Sequence, residues 1–330
     1  MKLLKLSWIG IALAVLLQAS QAAAQQPGRA ITQPQQPGGA NPQGGVPQVQ
    51  LAAPLAPAWA PLSETHQKYV DQILQYWEFK SNQVERYRCT FKRWEYDPVF
   101  GPKDTFKTYG EGSIKYSAPD KGLFKVERLL HYRPPREPTG KPDYVERKDV
   151  QGECWICDGN SIFEFDHKKK HLQQYELPPE MRGKAIGRGP LPFLFNAKAD
   201  EIKSRFWIRV ITPKDTKGEY WLEAFPKTRD DAANFKMVHV IIDEKEYLPK
   251  AMVMFDRNYV AGRRPSRTTF QFDEREVNFS ILASKLNLFH REFFEPAVPG
   301  GWTKVVHKWD QPTGTPPNTD RAAAGSNPRR

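Results

Sequence analysis

From residue 62 onward the chain changes its hydrophobic period once, from helical to extended. Pro61-Leu62-Ser63 opens a helix, with Ser63 placed as N-cap and Glu64 in the first turn, where an acidic side chain is favourable. Tyr69, Val70, Ile73, Leu74 and Trp77 fall at helical spacing and predict one apolar face. After Ser81-Asn82 the period drops to two. In YRCTFKRWEY, Tyr87, Cys89 and Phe91 share one face while Arg88, Thr90 and Lys92 share the other, which predicts a strand with one wet side. Further strands are predicted over 108–116, 123–132, 153–157, 161–165, 171–176, 206–212, 220–225, 238–243, 251–255 and 268–272. Turn residues bound most of them, as in APDKG and DEKEYLP. This density of short strands argues for a large antiparallel sheet in meander order.

Two stretches stand out against that pattern. GRGPLPFLFNAKADEIKS holds a compact apolar knot led by Pro190, with Leu191, Phe193, Leu194 and Phe195, and then a polar, helix-like run. GECWICDGNSIFEFD can be read in two ways. Cys154-x-x-Cys157 has the spacing of a thiol–disulfide redox motif, but such pairs sit at a helix N-terminus, where the thiol pKa is lowered. Here Asp158, Gly159 and Asn160 follow at once, a hairpin turn signal. With Gly159-Asn160 as the two-residue loop, Ile156 faces Phe163, Cys154 faces Phe165 and Trp155 faces Glu164. On a strand, residues three apart lie ~10 Å apart and point oppositely, too far for a disulfide. The hairpin is the favoured reading, and thiol oxidoreductase activity through Cys154 and Cys157 is the weaker alternative.

Three cysteines allow one intramolecular bridge, Cys89 with Cys154 or Cys157, or buried thiols acting as small apolar groups. No other catalytic constellation appears. His167 and His171 flank a lysine run after a predicted strand end, so they read as solvated turn histidines rather than a metal pair. Asp230 and Asp231 precede a short helical turn and read as its cap. No cofactor or metal is implied by any motif.

Composition sets the surroundings of the domain. Lys2 and Lys5, the apolar run Leu6 to Leu17 and Ala22-x-Ala24 have the form of a cleavable export signal over 1–24, with no lipobox cysteine after it. Residues 25–61 are rich in Pro, Gln and Gly, carry Arg29 as their one charge and read as a disordered linker; 309–330 read as a disordered tail. The domain itself spans 62–308. The precursor carries a formal net charge of +11, two units of which are the leader lysines. In an exported chain, this favours anionic membrane or glycan surfaces over nucleic acid. The strands also carry more large aromatic side chains than one sheet and one helix need. The pattern leaves open whether these fill a core or line a cavity for an apolar ligand.

The order of motifs resembles the LolA-like superfamily of periplasmic lipoprotein carriers. It runs from the helix through GSIKYSAPDKGLFKVE, CWICDGNSIFEFD, GPLPFLFNAKA, YWLEAFP, FKMVHVIIDEKEYLPKAMVMFD and TTFQFDEREVN to FHREFFEPAVPGGW. It is nearer still to an uncharacterised group of exported planctomycete proteins with an extended form of the domain. The resemblance implies a mainly β (α+β) fold, an incomplete antiparallel β-barrel wrapped around an N-terminal helix and a short lid. The lid would be Pro190, Leu191, Phe193, Leu194 and Phe195. Phe91, Ile156, Phe163, Phe165, Trp207 and Trp221 would line an apolar chamber. The expected protein is a monomeric, non-catalytic binder of a lipid, an acylated protein or another apolar ligand in the periplasm or cell envelope. The alternative is an envelope scaffold whose core is full and whose basic surface docks anionic glycan or membrane. The sequence departs from the carriers at Ala118, before Pro119, where they have an arginine that locks the lid.

Overall fold

The computed structural model describes residues 54–135, 140–147, 150–183, 193–194, 197–262, 264–280 and 296–309. Helix α1 (Glu64–Ser81) begins where predicted: Ser63 is its N-cap, and the hydroxyl accepts from the His66 N–H. Val70, Ile73, Leu74 and Trp77 are buried at i, i+3, i+4, i+7 spacing. Each contributes roughly 1.5–3 kcal/mol of burial. Tyr69, expected on that face, stands at its margin and is 45% exposed.

The strands are β1 (Arg86–Tyr96), β2 (Thr108–Ser117), β3 (Lys121–Arg133), β4 (Asp143–Glu146), β5 (Cys154–Cys157), β6 (Ser161–Asp166) and β7 (His171–Glu176). After helix α2 (Ala199–Arg205) come β8 (Phe206–Val210), β9 (Glu219–Pro226), helix α3 (Arg229–Asn234), β10 (Met237–Asp243), β11 (Pro249–Phe255), β12 (Arg267–Val277) and β13 (Thr303–His307). One sheet holds all the described strands, in the order β13-β7-β6-β5-β3-β2-β1-β12-β11-β10-β9-β8, with β4 beside the far end of β3. Two meanders therefore meet where β12 returns to pair with β1. Every pairing is antiparallel except β13 on β7. Among the described residues β8 and β13 do not pair, so the sheet stays open. The fold is the expected one: mainly β, an incomplete antiparallel barrel with α1 on one face.

Alternation places the core. Tyr87, Cys89 and Phe91 of β1 are buried together with α1, Ile114, Phe124, Val240, Met252, Phe270 and Phe272. Phe270, Phe91, Phe124 and Trp155 form an aromatic ladder with successive centroid separations of 5.9, 4.8 and 5.6 Å. β2 contributes Gly112 beneath it. A Cβ there would come within 2.7 Å of the Phe91 ring and 2.0 Å of the Lys125 carbonyl oxygen, so only glycine fits.

Candidate functional site

The hairpin forms in the predicted register. Trp155 faces Glu164 and Ile156 faces Phe163. The Asp158 N–H donates to the Ser161 carbonyl, and the Asp158 carboxylate accepts from the N–H groups of Asn160 and Ser161 at 2.8 and 2.7 Å. Gly159 supplies the positive φ of the turn, +95°. The three cysteines are free. The suggested bridge from Cys89 to Cys154 or Cys157 is corrected, because β2 and β3 stand between β1 and β5. Three strand spacings put such thiols about 14 Å apart, well beyond disulfide reach. Cys154 and Cys157 themselves end β5 on opposite faces. Burial pushes the Cys154 thiol up to about 11 and the Cys89 and Cys157 thiols up to about 12. That is the reverse of what a nucleophilic thiol needs.

The proposed chamber wall is divided by the sheet. Phe91 faces α1. Ile156 and Phe163 face the other way, in a separate cluster with Leu123 and Leu172, against which Phe165 and Phe279 pack. Trp207 lies between Phe206 and Ile208, which face α1, and Trp221 adjoins Leu222, which does too; both tryptophans therefore turn to the outer face. Sequence reasoning went wrong here because the β5–β6 hairpin is apolar on both sides, so alternation names two faces without saying which one meets the helix. Trp155, Cys157 and Ile162 are the hairpin's contribution to the inner face.

The described residues of that inner face pack into one main cluster. Phe193 and Leu194 of the predicted lid are buried in the main cluster, with the Phe193 ring 5.0 Å from Phe206. Pro190, Leu191 and Phe195 lie outside the described residues. The chain leaving the knot is tied to the end of α1: the Ala197 N–H donates to the Ser81 hydroxyl at 3.1 Å and the Ala199 N–H to the Glu78 carboxylate at 3.0 Å. Glu78 thereby caps the N-terminus of α2 from another helix.

The two other candidate sites resolve as structure. His167 is packed rather than solvated, with its ring 5.1 Å from Trp302, and burial lowers its pKa. Asp231 is a buried residue of α3 and accepts from Nε and Nη2 of Arg205. Thr228, not an aspartate, is the N-cap there.

Among the described residues, open apolar space lies at the β8 edge. A cleft of about 410 Å³ runs between residues 56–62, the first turns of α1 and the start of β8. Trp59, Leu62, Val70, Phe206, Trp207 and Ile208 give it apolar walls, and Lys203 and Lys227 are its charged members. The strap over it is pinned by Trp59, whose ring meets Phe225 edge-on at 6.0 Å and lies under the Arg209 guanidinium at 5.0 Å. Arg209 in turn pairs with buried Glu223 at 2.6 Å, and His239 approaches the other Glu223 oxygen at 3.3 Å. Burial alone would raise the Glu223 pKa; the His239 and Arg209 contacts outweigh it and hold the carboxyl below its ordinary value. The indole Nε1 of Trp59 is buried without a hydrogen-bond acceptor among the described residues. Of this site, sequence reasoning named only Trp207. The missed signal was Trp59, the one aromatic residue in the Pro-rich stretch 25–61.

Fold and cleft together define an open antiparallel half-barrel with an inner helix and an apolar cleft at one edge. No family model matches the sequence, and no curated protein matches it. Among solved structures it is similar to an uncharacterized conserved protein from Thermus thermophilus, with 7% identity over 72% of this chain and 99% of that one and a TM-score of 0.39. A LolA superfamily protein from Nitrosomonas europaea aligns at 7% identity over 64% and 94%, with a TM-score of 0.30. The MucA/MucB complex of Pseudomonas aeruginosa aligns at 10% identity over 64% and 58%, with a TM-score of 0.31.

Proposed function

We propose that this is an exported, non-catalytic binding protein that holds one lipid, acylated protein segment or other apolar ligand for transfer within the cell envelope. The observation that carries the reading is the cleft at the β8 edge, a preformed apolar space of the size that small ligands occupy. An acyl chain entering it gains ~0.8 kcal/mol per buried CH₂, enough to hold a chain yet let a better site take it. Phe206 lines the cleft and touches Phe193, so the lid segment and the ligand space share a wall. The leader-like residues 1–24 support export, and the resemblance in motif order to the carriers points the same way. The protein acts as a monomer with a lipid or lipidated partner.

The test is native mass spectrometry of protein purified without detergent from an exporting host. An adduct that leaves on denaturation and proves to be acylated is the expected result. A bare polypeptide mass that stays bare after incubation with phospholipid would sink the reading. The burial of Phe193 and Leu194 in the main cluster favours a second one, a scaffold docking its basic surface on anionic glycan or membrane. It requires salt-dependent binding to anionic vesicles by protein that carries no lipid.

A further inference from the structure

We propose that the cleft at the β8 edge takes an amphiphile with one acyl chain and a compact anionic head, and that Lys227 is the residue that reads the head. The inference rests on the reading of that cleft as an apolar-ligand site, and it names the ligand class.

Size comes first. At about 410 Å³ the cleft lies near the lower end of the ~300–1,000 Å³ range of small-molecule sites, so it suits one chain rather than the several chains of a bulky lipid anchor. Charge comes second. The two lysines of the cleft differ in their partners. Lys203 is already balanced, with Asp71 at 3.3 Å and Asp200 at 3.2 Å, and these contacts raise its pKa. The Lys227 ammonium donates to the Lys203 carbonyl oxygen at 2.6 Å and lies 5.8 Å from the centre of the Trp207 ring. Neither partner carries a negative charge. An ammonium has three donors, so two remain for a ligand. The nearby Arg205 and Asp231 neutralise each other and supply no counter-charge.

A half-buried cation beside an indole face, in a cleft whose walls are mostly apolar, matches a carboxylate or a phosphate on an alkyl chain. A neutral head would leave the lysine charge unanswered, and a cationic head would be repelled. The strap positions the opposite wall, so the ligand would lie with its chain between Trp59 and Ile208 and its head on Lys227.

The experiment titrates the full mature chain with tetradecanoate, tetradecyl phosphate and tetradecanol below their aggregation limits, following tryptophan fluorescence and calorimetric heat. The expected result is binding of both anions roughly ten-fold or more tighter than the alcohol, as a charge-assisted hydrogen bond implies. Lys227→Gln should bring the anions down to the level of the alcohol, and Lys227→Arg, which keeps the charge, should retain the preference for the anions. A preference between the two anions would identify the head as carboxylate or phosphate, and either sign supports the proposal. Equal binding of all three by the native protein, or anion binding unaffected by Lys227→Gln, overturns it while the apolar-ligand reading stands. Failure of all three to bind removes both.

Discussion

Trp155 and Ile156 are chain neighbours with opposite duties, one closing the aromatic ladder beside the helix and the other packing the far side of the sheet. At this scale the hairpin was legible to the residue, because Asp158, Gly159 and Asn160 fix the loop and the loop fixes the register. Which face turned inward was not legible, because both faces are apolar. The thiols give the prediction that belongs here. An unfolded thiol loses its proton near pH ~8.5. In the folded chain Cys154 keeps it to about 11, and Cys89 and Cys157 to about 12. Between those limits the native state binds more protons than the unfolded state, so stability is complete below the lower limit and falls as pH rises towards the upper one. The expected slope is up to ~1.4 kcal/mol per pH unit for each thiol. Urea midpoints across the alkaline range should show it, with a shallower decline in Cys157→Val. Parallel curves for the two proteins would contradict the assignment.

Among elements, α1 and most strands follow from periodicity, and α2 from the polar run after the knot. Two strands were not seen. DYVE and TKVVH are short and carry little alternation, and β13 finds its partner β7 more than a hundred residues earlier, so no local signal marks it. The strap at 54–61 has the composition of a linker; one tryptophan converts its end into a wall. Trp59→Ala should cost about 1–2 kcal/mol in chemical denaturation through its lost ring and cation contacts. It should also weaken acyl binding in the same titrations that test Lys227. A variant with native stability and native binding would show that the strap neither braces β8 nor bounds the cleft.

For the whole molecule, the two meanders depend on each other through a single seam. Arg88 of β1 pairs with Glu276 of β12, 188 residues away, and Phe91 of β1 faces Phe272 across the same seam. A chain ending after Asp256 retains β1–β7 and β8–β11 but loses the strand that joins them. Such a fragment should show no cooperative unfolding transition and should associate in size-exclusion chromatography. A monomer with a sharp transition would mean that the halves are separate folding units. The same seam also sets an order of events. Contacts this far apart in sequence form slowly, because a long loop must close before they contribute anything. During synthesis β1 emerges early and waits, one edge paired with β2 and the other bare, until nearly the whole chain has followed. An exposed strand edge bearing Phe91 is a template for pairing with the wrong chain. The yield of native protein on refolding is then expected to fall as chain concentration rises, while that edge stands bare.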